Sequence, residues 1–165
     1  MKTAMNKRII TIIVIIAIGG IGGFYFLTNK SEVKTTTSQD LAMRGVKMTI
    51  YKSPNCGCCD GYADEMKRQG FDVTVVPEYD MRAIKEKFGV PAGKQSCHTA
   101  IVGNYFIEGH VPVEAVKKLL KEKPAIDGIG LPGMPTGTPG MPGQKLAPYK
   151  VYQSVKGKTS SFMTI

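Results

Sequence analysis

The sequence predicts an α/β two-layer sandwich with the element order β-α-β-α-β-β-α. Three observations predict it. Short runs alternate apolar with polar residues, the stretches between them repeat apolar residues at helical spacing, and Gly or Pro separates the two kinds of segment. The 165 residues suffice for one domain of about 100 residues with extensions at both ends.

Val46, Met48 and Ile50 alternate with polar neighbours and predict a strand over Val46 to Tyr51. Cys59, Tyr62, Ala63 and Met66 then fall at i, i+3, i+4 and i+7, the apolar stripe of a helix that ends at Gly70. Phe71 to Val76 has the β-branched density of a buried strand, stopped by Pro77. Met81, Ile84 and Phe88 predict a helix over Tyr79 to Phe88, with Asp80 in its first turn and Gly89 past its end. Thr99 to Val102 and Tyr105 to Glu108 read as a hairpin through Gly103-Asn104. Val113, Val116, Leu119 and Leu120 give the last helix, closed by Pro124. Parallel pairing through the first crossover, and a hairpin covered by the last helix, complete the sandwich.

The flanks differ in kind. Lys2, Lys7 and Arg8 (flank 1–8) precede an uncharged run at 9–27, read as an uncleaved membrane anchor, with a cleaved signal as the alternative. The basic side stays cytoplasmic, so a single span places the rest outside the cytoplasm, in the periplasm or at the cell surface; cleavage would make the chain secreted. Residues 28–44 are polar and aperiodic and read as a tether to the domain at 45–124. At 125–148 the composition shifts to Gly, Pro and Met, with Pro-Gly-Met occurring twice, at Met134 and Met141. It reads as a flexible spacer or as a loop that folds back over the thiols. Residues 149–165 form a last hairpin through Lys156-Gly157-Lys158, joined to the sheet or apart from it.

The net charge of +9 excludes little. From Arg44 onward the chain carries 17 basic and 11 acidic residues, clustered only at Lys117, Lys118, Lys121 and Lys123. Without interleaved aromatics or a nucleic-acid motif, no nucleic-acid partner is expected.

The chemistry concentrates in Ser53-Pro54-Asn55-Cys56-Gly57-Cys58-Cys59. Thiols at a helix start meet unpaired backbone N–H groups and the positive end of the helix dipole, and both favour the thiolate. Cys56 and Cys59 have the spacing of a redox dithiol, so a catalytic pair is one reading and a structural disulfide another. With thiols at the first strand-to-helix turn, the element order becomes a thioredoxin-like arrangement. Cys58 is surplus to a two-cysteine cycle but suits a soft metal, because several thiolates then converge. Cys97-His98, just before the third strand, approaches the same helix start in such a fold and supplies further ligands. The alternative for Cys97 alone is a small core residue. His110 is either a more distant metal-site group or a surface residue. Crowded thiols with thioethers nearby select Cu(I) over zinc.

Five separated blocks resemble the DUF411 family, which includes CopG-type proteins of bacterial copper resistance. They are Tyr51 to Cys59, Gly89-Val90-Pro91, Ser96 to Ala100, Ile107 to Pro112, and Leu131 to Met141. The resemblance implies an exported thioredoxin-like domain whose cysteine-rich site holds copper, as a multinuclear cluster or with a change of redox state. It carries over Cys56, Cys58, Cys59 and Cys97 as ligands, and Met134 and Met141 less directly. Cys97-His98 stands where thioredoxins place a cis-proline, which weakens ordinary disulfide exchange. The expected function is sequestration of Cu(I) in copper resistance or homeostasis, with copper ions, the membrane and other copper-handling proteins as partners. The rivals are a thiol-disulfide oxidoreductase using Cys56 and Cys59, and a zinc-stabilised interaction domain.

Overall fold

The computed structural model describes residues 43–165. The basic flank, the apolar run and all of the tether but its last two residues lie outside the described residues. Among the described residues, no helix is long and apolar enough to cross a membrane. Met43, assigned to the tether by sequence, is buried in the core, and Gly45 N–H donates to Gly70 O at 3.1 Å.

The elements are β1 (Lys47–Lys52), α1 (Gly57–Arg68), β2 (Asp72–Pro77), α2 (Met81–Lys87), β3 (His98–Val102), β4 (Tyr105–Gly109), α3 (Val113–Glu122), β5 (Gly128–Leu131), β6 (Lys150–Val155) and β7 (Lys158–Thr164). The first seven keep the predicted order. All the strands join one sheet in the order β2-β1-β3-β4-β5-β6-β7. β2 runs parallel to β1, whereas β3 is antiparallel to both β1 and β4.

The sheet has helices on both faces, so the layers number three rather than two. Ala100 and Val102 of β3 join the large core with α1 and α3, whereas Ile101 between them points to a smaller cluster of Val90, Phe106 and Tyr152. The central strands are buried on both sides, and the segment after α2 covers the second face through Phe88 and Val90.

Three other expectations change. β2 is a sheet edge, so Asp72, Thr74 and Pro77 are exposed and only Val73 and Val75 pack inward; Pro77 needs no ladder donor there. On α2 the stripe of Met81, Ile84 and Phe88 is half-buried, and the buried side chain is Lys85. Gly128–Leu131, read as the start of a loop, is a fully buried strand parallel to β4. Its glycines are there for packing rather than turning. A Cβ on Gly128 would lie 2.3 Å from Phe106 O, and one on Gly130 would lie 2.5 Å from the Tyr152 ring. β5 is what ties the last hairpin into the sheet, through antiparallel pairing with β6.

Candidate metal centre

Cys56 ends the turn after β1 and is the N-cap of α1, in extended conformation and without a side-chain cap bond. The turn is fixed from below by Lys52, whose amino group lies 3.2 Å from Pro54 O and 2.8 Å from Asp60 Oδ1 in the first turn of α1. Lys52 sits at an inward position of β1 and is only 4% exposed. Alternation aims it at α1, and burial is tolerated because its ammonium is paired.

Cys56 and Cys59 are joined as a disulfide across one helical turn, with Cα atoms 5.4 Å apart. Cys58 and Cys97 are free. Cys56 Sγ lies 3.5 Å from Cys58 Sγ, and all four sulfurs fall within 4.8 Å of one another. The fold therefore brings together the four cysteines singled out by sequence.

A second cluster shares Cys97. Its Sγ lies 3.3 Å from His98 Nδ1 and 3.1 Å from His110 Nε2, and the three side chains form a compact donor group. His110 Nδ1 lies 2.7 Å from Pro139 O. A carbonyl oxygen can only accept, so Nδ1 carries the hydrogen and Nε2 presents its lone pair to the Cys97 thiol. His98 is fully buried, its ring 4.5 Å from that of Tyr62, and its Nε2 has no hydrogen-bond partner. His98 Nδ1, the nitrogen that faces the Cys97 thiol, is a fitting donor for a soft or borderline metal, whereas the partnerless Nε2 points to another side of the ring.

The electrostatics favour neutral ligands. Burial, then the neighbouring His110 and Lys85, hold His98 well below the usual imidazole range. Burial also lowers His110, partly offset by Pro139 O. Both rings are in the unprotonated form that binds metals. The Cys97 thiol is pushed up to about 11, first by burial and then by the adjacent Cys58 sulfur.

The Gly/Pro/Met segment does fold back. Pro139 O holds His110, and a Cβ on Gly140 would lie 2.4 Å from Cys58 O and 2.5 Å from Tyr62 N. Met141 follows directly and is half-buried, whereas Met134 is 42% exposed. A groove of 1190 Å³ runs between α1, α3 and residues 137–149, and no cysteine or histidine lines it.

Sequence reasoning left the place of His110 open, although the signal was present. A two-residue hairpin pairs Val102 with Tyr105 and Thr99 with Glu108. Continuing that count places Cys97 opposite His110. Lys52 went unnoticed because a lysine ending a strand ordinarily faces water.

A model of the family described as "Protein of unknown function, DUF411" matches residues 94–141, which include Cys97, His98, His110 and both Pro-Gly-Met methionines. No curated protein matches the chain. Two solved structures named "Copper resistance protein copG", Form 1 and Form 2, are similar to it. Each is 35% identical with a TM-score of 0.68, over 74% of this chain and 98% or 99% of theirs. With that identity sustained along nearly the whole of both relatives, and the family's own model matched within it, the chain belongs to the DUF411 family together with these CopG proteins.

Proposed function

We propose that the chain is a copper-handling protein that holds Cu(I) as cargo through Cys56, Cys58, Cys59 and Cys97. The observation that carries this reading is the convergence of four sulfurs within 4.8 Å. The names of the two similar structures support copper as the metal. Soft thiolates select Cu(I). His98 and His110 serve as nitrogen donors or orient the thiols, and Met134 and Met141 are soft donors on the covering loop. We read the half from β1 to α3 as thioredoxin-like, supported by its strand order and pairing directions. The apolar run 9–27 supports a single span with the domain outside the cytoplasm.

Reduction of the Cys56–Cys59 disulfide, with two electrons and two protons, is required before all four sulfurs can bind. Anaerobic titration of the reduced full chain with Cu(I) tests the reading. Binding of more than one Cu(I), lost in Cys58→Ser or Cys97→Ser, is expected. Binding no better than that of a cysteine-free variant would overturn it. Tight one-to-one zinc binding required for folding would favour an interaction domain instead.

The same disulfide favours a second reading, thiol-disulfide exchange. A substrate dithiol would reduce Cys56–Cys59 and leave as a disulfide, with Cys56 as the exchanging sulfur and Cys59 as the resolving one. Insulin-disulfide reduction by the reduced chain that survives Cys97→Ser would select it.

A further inference from the structure

Behind the sheet, on the face away from α1, lies a buried polar cluster with no part in the donor set. Lys85 of α2 is 4% exposed, and Thr99 and Glu108 are fully buried. Lys85 Nζ donates to Glu108 Oε1 at 2.5 Å and to Thr99 Oγ1 at 3.1 Å, and the Thr99 hydroxyl donates to Glu108 Oε2 at 2.6 Å. Glu108 Oε1 also accepts the backbone N–H of Ser96 at 2.5 Å. A buried ion pair is a poor way to gain stability, since desolvation offsets much of its attraction. What it supplies here is placement.

The cluster touches the chain on both sides of the Cys97 group. Ser96 precedes Cys97, Thr99 follows His98, and Glu108 stands two residues before His110. Between Glu108 and His110, Gly109 (φ +74°) admits the Ser96 side chain so closely that a Cβ there would lie 2.7 Å from Ser96 Cβ. Ser96 lies outside β3, so ladder pairing does not hold it. The Glu108 carboxylate takes over that task and carries the strand register one step further, to Cys97 opposite His110.

We propose that Glu108, with Lys85 and Thr99, is a positioning residue set that holds Cys97 against His98 and His110 from behind the sheet. Its relevance to copper rests on the function proposed above; the placement of Cys97 does not. Lys85→Met alone leaves Glu108 buried without its cation and is expected to unfold readily. The informative variant is therefore Lys85→Met with Glu108→Leu, which removes both charges and the acceptor of the Ser96 N–H together. It is expected to keep the melting temperature within several degrees of the parent, because apolar groups replace the whole ion pair. Thr99→Val is a milder second variant, and Thr99→Ser should restore the parent behaviour.

Two readouts on the full chain separate placement from stability. In a background with Cys56, Cys58 and Cys59 changed to Ser, the rate of Cys97 alkylation by iodoacetamide should rise about threefold or more in the double variant and in Thr99→Val, as the segment opens locally. With all cysteines present and reduced, Cu(I) affinity, measured by competition with bathocuproine disulfonate, should fall about tenfold or more. An alkylation rate unchanged in both variants overturns the inference, whether or not the parent binds copper. Absence of Cu(I) binding by the parent overturns the proposed function and leaves the alkylation result to decide this one.

Discussion

Cys97 is placed so that its proton is as informative as its sulfur. With the thiol raised to about 11 by burial and by Cys58, it is protonated at neutral pH and donates to His110 Nε2 at 3.1 Å. A metal bound there must displace that proton. Copper loading of the reduced chain is thus expected to acidify a weakly buffered solution, and Cys97→Ser to release about one proton fewer per chain. Affinity should rise with pH between 6.5 and 8, the thiolate being the binding form, by up to about tenfold per pH unit for each thiol displaced. A pH-independent affinity would count against thiol ligation by Cys97. Lys52 is the other decisive residue. Replacing it with Met strands Pro54 O and frees the turn that carries Cys56, at a cost of about 1–3 kcal/mol in urea unfolding. Asp60, 57% exposed at its side chain, is resolvated by water and adds little.

At the scale of elements, two short segments decide how the site is closed. Gly140 packs against backbone atoms of α1, with φ +79°. Gly140→Ala therefore meets both a disallowed conformation and a neighbour unable to yield. It should lower stability by about 2 kcal/mol or more and loosen Pro139 from His110, readable as a shift of the His110 imidazole NMR resonances. Gly130→Ala in β5, aimed at the Tyr152 ring, should be similarly destabilising. The same glycines explain why β5 was illegible. Composition marks Gly-Ile-Gly-Leu as a loop, because glycine's usual signal is a turn; here it marks close approach of aromatic rings to a central strand. The stripe of α1 and the β3–β4 hairpin were legible for the opposite reason, since Cys59, Tyr62, Ala63 and Met66 are all buried as their spacing requires. Convergence of Cys97 on the α1 cysteines could be read because the strand order alone brings β3 beside β1. The loop's contacts could not, because nothing local encodes a carbonyl reaching a histidine 29 residues away.

The molecule as a whole stores two neutral imidazoles in its interior, and that sets how the metal-free fold responds to acid. Unfolded histidine takes up a proton near pH 6.5. In the folded chain His98 is held well below its usual range and His110 below it as well. Above pH 6.5 both states are neutral there and stability is unaffected. Below it the unfolded chain binds protons that the folded chain refuses, so stability falls as pH falls. The loss continues until the folded-state histidines themselves titrate. For His98 the loss between pH 7 and pH 5 is up to about 2 kcal/mol, at a limiting slope of about 1.4 kcal/mol per pH unit. Glu65, held below the usual carboxylate range by Arg68, titrates beneath this window and does not mask it. Urea midpoints of the metal-free chain at the two pH values measure the slope. His98→Gln, which cannot take up a proton there, should flatten it by the His98 share even if its stability at pH 7 is lower. A variant that retained the full acid slope would place the responsible groups elsewhere in the molecule.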